Sequence, residues 1–90
     1  MDRLSADEIA SRLASLAGWE QLGDALCRQY ELADFKSAMA FANRVAAIAE
    51  ELNHHPDILI EYSTVTLTLS SHDAGGITAR DFRLAARIDA

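Results

Sequence analysis

Cys27 is the only cysteine in the chain, so an internal disulfide is excluded and a thiolate metal cage has no partners to complete it. That usage suits a reducing compartment, and a cytoplasmic location is expected. Basic residues are also scarce: eight Lys and Arg stand against fourteen Asp and Glu, a formal net charge of -6. Nucleic-acid binding draws on lysines and arginines set against phosphates, so DNA and RNA are poor partners for this surface. A small neutral or weakly charged ligand is easier to accommodate. Long apolar runs are missing as well. Met1 to Ala10 carries Asp2, Asp7 and Glu8, so neither a secretion signal nor a membrane span is expected there. No repeat, linker or low-complexity stretch interrupts the chain.

What is present is the mixture of a globular protein, 50% hydrophobic and 24% charged. Residues 1–90 are expected to form a single domain, because so short a chain cannot close two cores. A domain of this size buries only about 60% of the surface its unfolded form exposes. Self-association is the simplest remedy, and a homodimer or homotetramer is expected.

Ser5 and Glu8 form a capping box that opens a first helix, with Ile9, Leu13 and Leu16 at helical spacing and Gly18 as a left-handed cap. Trp19 to Leu22 and Ala25 to Leu32 flank Gly23-Asp24, a turn dipeptide, and predict a β-hairpin. Trp19 and Tyr30 are expected to serve packing. Asp34 is the N-cap of the longest helix, whose stripe of Phe35, Ala38, Ala42, Val45, Ala49 and Leu52 is widened by Phe41 and Ile48. Its alanines keep that stripe slim and permit close approach. The helix must stop before Pro56, the single proline.

Beyond it the period changes to two. Val65, Leu67 and Leu69 take one strand face, and Thr64, Thr66, Thr68 and Ser70 take the other. Ile58, Ile60 and Tyr62 predict a shorter partner strand, with a turn near Ser63. Gly75-Gly76 ends the pairing, and Thr78 with Asp81 opens a last helix, with Ile77 stapled to Phe82 and a stripe of Phe82, Ala85, Ala86 and Asp89. The order α-β-β-α-β-β-α carries no βαβ alternation and predicts an α+β fold, a four-stranded antiparallel sheet with helices on one face. The threonine face is left uncovered or open to a partner.

All three histidines, His54, His55 and His72, fall in the second half of the chain and within nineteen residues. Imidazole donates and accepts protons near neutrality without large tuning, so the clustering suggests acid-base chemistry. Taken singly, His55 or His72 has an ordinary explanation as a solvated strand-end residue, and Asp81 as a cap. Glu50 lies one helical turn before His54, where the helix dipole disfavours a carboxylate. Glu51 beside it reads as a solvated surface residue. A zinc site is disfavoured, because neighbouring residues such as His54 and His55 point apart while helical metal motifs use four-residue spacing.

The run of Glu50, His54-His55-Pro56, Tyr62, His72 and Asp81 resembles the signature of the pterin-4a-carbinolamine dehydratase family, known also as a dimerisation cofactor of a homeodomain transcription factor. The likeness extends to Gly18-Trp19, Asp34-Phe35 and Asn43-Arg44-Val45-Ala46. One departure is Ile58, where family members commonly carry an aromatic; a looser wall of the pterin pocket is the expected result. The resemblance implies a hydro-lyase that removes water from a 4a-hydroxytetrahydropterin without metal or bound cofactor. By the same resemblance His54 and His72 are candidates for the general acid, His55 and Glu50 position the pterin, and Asp81 either orients a histidine or holds the ligand. The pathway of the aromatic amino acid hydroxylases is the implied setting. The rival expectation is a non-catalytic dimerisation or partner-binding module, or a transcriptional coactivator, built on the long helix and the open sheet face.

Overall fold

Polar caps, rather than long apolar stretches, set where this chain changes structure. The computed structural model describes residues 2–90. The elements are α1 (Ala6–Leu13), β1 (Glu20–Leu22), β2 (Ala25–Glu31), α2 (Phe35–Leu52), β3 (Asp57–Glu61), β4 (Thr64–Leu69), a 3-10 turn at His72–Ala74, and α3 (Ala79–Asp89). The Ser5–Glu8 capping box is formed in both directions, Asp34 accepts from the Ser37 amide, and Thr78 and Asp81 make a second complete box. Each satisfies amides that the first helical turn leaves without partners.

The strands form one antiparallel sheet in the order β1-β2-β4-β3. The fold is therefore α+β, as the element order predicts. Register sets Leu26 opposite Leu69, Leu67 opposite Ile58, and Val65 opposite Ile60. These side chains build the face that packs with Ala38, Val45, Leu84, Ala85 and Ile88 into one core. The other face carries Cys27, Asp57, Thr64, Thr66 and Thr68, with Leu59 among the exposed hydrophobics.

Several expectations require correction. Helix α1 ends at Leu13 with Ala14 as its cap, so Gly18 is not its terminator. Gly18 does hold a positive φ of 88°, and the Arg28 guanidinium packs where a β-carbon would stand, 2.6 Å from its Cζ. Tyr62 is not a strand residue. It sits with Ser63 in the two-residue loop closing Glu61 on Thr64, at φ 52° and 72% exposed. On α3 the buried residues include Leu84 and Ile88, while Ala86 is exposed, so the core stripe is rotated from the expected one.

Asp89, at the end of α3 where the helix dipole opposes a carboxylate, is held by three donors from elsewhere in the chain. Trp19 Nε1 donates to Oδ2 at 2.7 Å, Arg28 to Oδ2 at 2.9 Å, and the Tyr30 hydroxyl to Oδ1 at 2.6 Å. Burial first, and then the hydrogen bond and charge of Asp89, push the Tyr30 pKa well above its ordinary 10.0. In the unfolded chain Tyr30 ionises near pH ~10 while the folded chain still holds the proton, so this stabilisation is complete below that pH and is lost above it. Urea midpoints are thus expected to fall with alkalinity from about pH 10, and Tyr30→Phe should flatten the decline. Equal slopes in the two proteins would refute this account.

Candidate active site

Helix α2 releases the chain at Asn53, whose left-handed conformation (φ 51°, ψ 45°) closes the helix while the His54 amide donates back to Ala49 O at 3.0 Å. Asparagine tolerates that conformation better than most residues. Pro56 then prevents helix from resuming and feeds β3. His54 and His55 are therefore presented at the junction of α2 and the sheet edge, and their side chains diverge as neighbours in extended backbone do.

His54 turns inward and is only 8% exposed. Its Nε2 lies 2.5 Å from Oδ1 of Asp81, a carboxylate that is 0% exposed. The other oxygen, Oδ2, accepts from the Ser71 hydroxyl at 2.9 Å and the Thr78 amide at 2.9 Å. Ser71 and Thr78 are themselves joined, Oγ to Oγ1, at 2.7 Å. A hydroxyl carries one proton, so once Ser71 donates to Asp81 it must accept from Thr78. Thr78 Oγ1 in turn accepts from the Arg80 amide at 3.2 Å. A carboxylate can only accept, so facing Asp81 as a carboxylate Nε2 of His54 carries hydrogen, and a neutral ring in that pair keeps its lone pair on Nδ1.

His55 turns outward and pairs with Glu50 through a close Nε2 to Oε2 hydrogen bond, both side chains being largely exposed. Glu50 therefore reaches forward to His55 rather than to His54. His72 opens the 3-10 turn beyond β4. Its loop is closed at the base by Ser71 and Gly76, whose amides and carbonyls exchange bonds of 2.9 and 3.2 Å.

The two segments meet. A hollow of about 340 Å³ is lined by His55, His72, Asp24, Asp57, Thr68, Ser70, Gly75 and others. An adjoining recess of about 240 Å³ is lined by Asn53, His54, His55, Ser70, His72 and Asp73. The larger one is at the small end of the ~300–1,000 Å³ range typical of small-molecule sites. All three imidazoles thus border a shared space, with Glu50 behind one of them and Asp81 behind another. Among the described residues, no three His, Cys, Asp or Glu side chains are grouped so as to hold a metal ion.

Two residues quoted with the family signature fall elsewhere. Tyr62 is at the hairpin tip and borders neither hollow. Ile58 packs with the core opposite Leu67, on the sheet face away from Asp57 and Thr68, so it forms no wall of the pocket. Conversely Asp57, Thr68 and Ser70 border the hollow, and Ser71 and Thr78 complete the Asp81 network. Strand alternation puts Thr68 and Ser70 on the open face, and that parity was the available signal for them.

Comparison with known proteins accords with this geometry. The model of the pterin 4 alpha carbinolamine dehydratase family matches residues 2–90. A protein of Thermomicrobium roseum, provisionally named a pterin-4-alpha-carbinolamine dehydratase, is 54% identical over 88 residues, covering 98% of this chain and 95% of its own. One from Koribacter versatilis with the same provisional name is 51% identical over 86 residues, covering 96% and 92%. Among solved structures, a transcriptional coactivator/pterin dehydratase from Brucella melitensis superposes with a TM-score of 0.93 at 32% identity, covering 98% of this chain and 96% of that one. A pterin dehydratase-like protein identified as a RuBisCO assembly factor in the alpha-carboxysome gives 0.67 at 27%, covering 80% and 86%. This chain belongs to the pterin 4 alpha carbinolamine dehydratase family, a family of hydro-lyases.

Proposed function

We propose that the chain removes water from a 4a-hydroxytetrahydropterin by imidazole acid-base catalysis, requiring neither metal nor resident cofactor. The observation that carries this reading is the gathering of His54, His55 and His72, from two separate segments, around adjoining hollows. In the reaction the bond from C4a to the hydroxyl oxygen breaks, and the oxygen leaves as water with a proton from an imidazolium. The neighbouring ring nitrogen gives up its proton to a base, and its electron pair completes the new C=N bond of the quinonoid dihydropterin. The family resemblance singles out His54 and His72 as the proposed acid and base, and both border the recess. Which of them gives the proton to oxygen is decided by the substrate's orientation. His55, steadied by Glu50, positions the ring. Asp81 orients His54 instead of holding ligand, because it is fully buried and both its oxygens already accept hydrogen bonds.

The test is kinetic. Purified protein added to an aromatic amino acid hydroxylase assay should speed the decay of the hydroxylated pterin; a decay unchanged at stoichiometric amounts would sink the proposal. The hydroxylase pathway is accordingly the proposed setting, in the cytoplasm. A homodimer or homotetramer is proposed from the small core, and light scattering that gives a monomer at micromolar concentration would overturn it. The second reading, a non-catalytic partner-binding module or coactivator, is favoured by the relatives with coactivator and assembly-factor names. Stoichiometric capture of a regulator by a protein inert in the assay would reverse the order of the two.

A further inference from the structure

His72 is exposed, no hydrogen bond to its ring is found among the described residues, and it stands on a single 3-10 turn rather than on an α-helix or strand. A proton-transferring group must nevertheless hold its place to within a fraction of an ångström. The base of the loop is anchored by the Ser71–Gly76 bridge and by the Ser71 hydroxyl on Asp81. Among the described residues, two arginine side chains tie the tip. Arg3 donates to Gly75 O over a long 3.4 Å, whereas Arg80 Nη2 donates to Asp73 Oδ1 at 2.6 Å.

Arg80 is unusual for a surface arginine. Its Nε is buried and has no partner among the described residues, an arrangement that costs free energy and that an unconstrained side chain would avoid by swinging out. Its head is nevertheless turned toward Asp73, immediately after His72 and bordering the recess that His54, His55 and His72 share. The guanidinium bond also holds the Asp73 carboxyl below the usual carboxylate range, so the partner stays charged at any pH near neutrality.

We propose that Arg80 is a positioning residue for His72: by clamping Asp73 it fixes the turn that aims the His72 imidazole into the shared recess. The first turn of α3 then serves both histidine segments. Asp81 fixes His54 through a buried carboxylate, and one residue earlier Arg80 fixes His72 through an ion pair. The two arms are separable, because only the Arg80 backbone amide, and not its side chain, feeds the hydrogen-bond chain to Asp81.

This inference rests on the dehydratase reading for its kinetic consequence, and the experiment has one arm that does not. Arg80→Met, Asp73→Asn, their double variant and Arg80→Lys are compared with the unaltered protein in the dehydration assay, each first checked for an unchanged thermal midpoint. Either single change should lower kcat by roughly 10–100-fold while KM moves less than about threefold, the scale of a displaced catalytic group. The double variant should be no worse than the poorer single, and Arg80→Lys should recover most of the rate. Losses that multiply in the double variant, or single variants within twofold of normal, overturn the proposal. In the second arm, imidazole resonances are followed by NMR in Arg80→Met. Those of His72 should shift or broaden while those of His54 stay in place, and an unmoved His72 overturns the proposal whether or not the protein dehydrates pterins. An inactive unaltered protein would instead count against the dehydratase reading alone.

Discussion

Replacing His54 by alanine is expected to slow dehydration by about 100-fold or more while leaving KM for the pterin nearly unchanged. The ring belongs to one of six residues bordering the recess, so its loss is expected to remove proton transfer rather than the binding hollow. His72→Ala should be comparably slow, and because His72 is exposed it should leave the thermal midpoint unmoved. The buried His54 differs, since its removal strands Oδ1 of Asp81. Stopped-flow decay of the hydroxylated pterin, normalised to folded protein, reads both effects. A His54→Ala protein turning over at the normal rate would remove that residue from the chemistry.

Asp81→Asn is expected to be almost as damaging, for a reason that can be traced atom by atom. The Thr78 amide is backbone and can only donate, so the asparagine carbonyl must take the Oδ2 place and its NH₂ must face His54. The ring then accepts at Nε2 and keeps its single hydrogen on Nδ1, the reverse of the arrangement that the carboxylate imposes. The wrong tautomer in a histidine–carboxylate pair costs orders of magnitude in rate, and a loss of roughly 100-fold or more is expected here. Imidazole ¹⁵N shifts should report the exchange directly; unchanged shifts together with a normal rate would refute it. Asp81→Ala tests a separate property. It leaves three buried donors without an acceptor and should destabilise the fold by about 3–5 kcal/mol, measured by urea unfolding. A large rate loss in the asparagine variant with little loss of stability is the combination that separates orientation of His54 from simple support of the fold.

Local signals in the sequence were good guides where the physics is local. Ser5 with Glu8, Thr78 with Asp81 and Asp34 satisfy helix amides within three residues, so their chemistry is written in short spacings. The Gly23-Asp24 turn was legible for the same reason, with Gly23 at φ 60°. Tyr62 was not, because a bulky residue at positive φ runs against its own propensity and only the pairing of β3 with β4 holds it there. The site divides along the same line. The histidines and Asp81 could be named from their pattern, but the depth of Asp81, the Ser71–Thr78 relay and the Glu50–His55 pair depend on how α2, β4 and α3 approach one another. Ile58 is instructive in the other direction. It shares parity with Ile60, and alternation alone places it in the core, against what the family comparison suggests for that position.

Asp89 borders neither hollow, yet its place on α3 joins it to the elements that do. Its carboxylate ties the far end of α3 to the Trp19, Arg28 and Tyr30 side chains, while the near end of the same rod carries Arg80 and Asp81. An eleven-residue helix is too stiff to yield at one end without tilting at the other. A cut or substitution at the carboxyl end would therefore misalign histidines it never touches, and a harmless-looking tag fused there could mimic an active-site lesion.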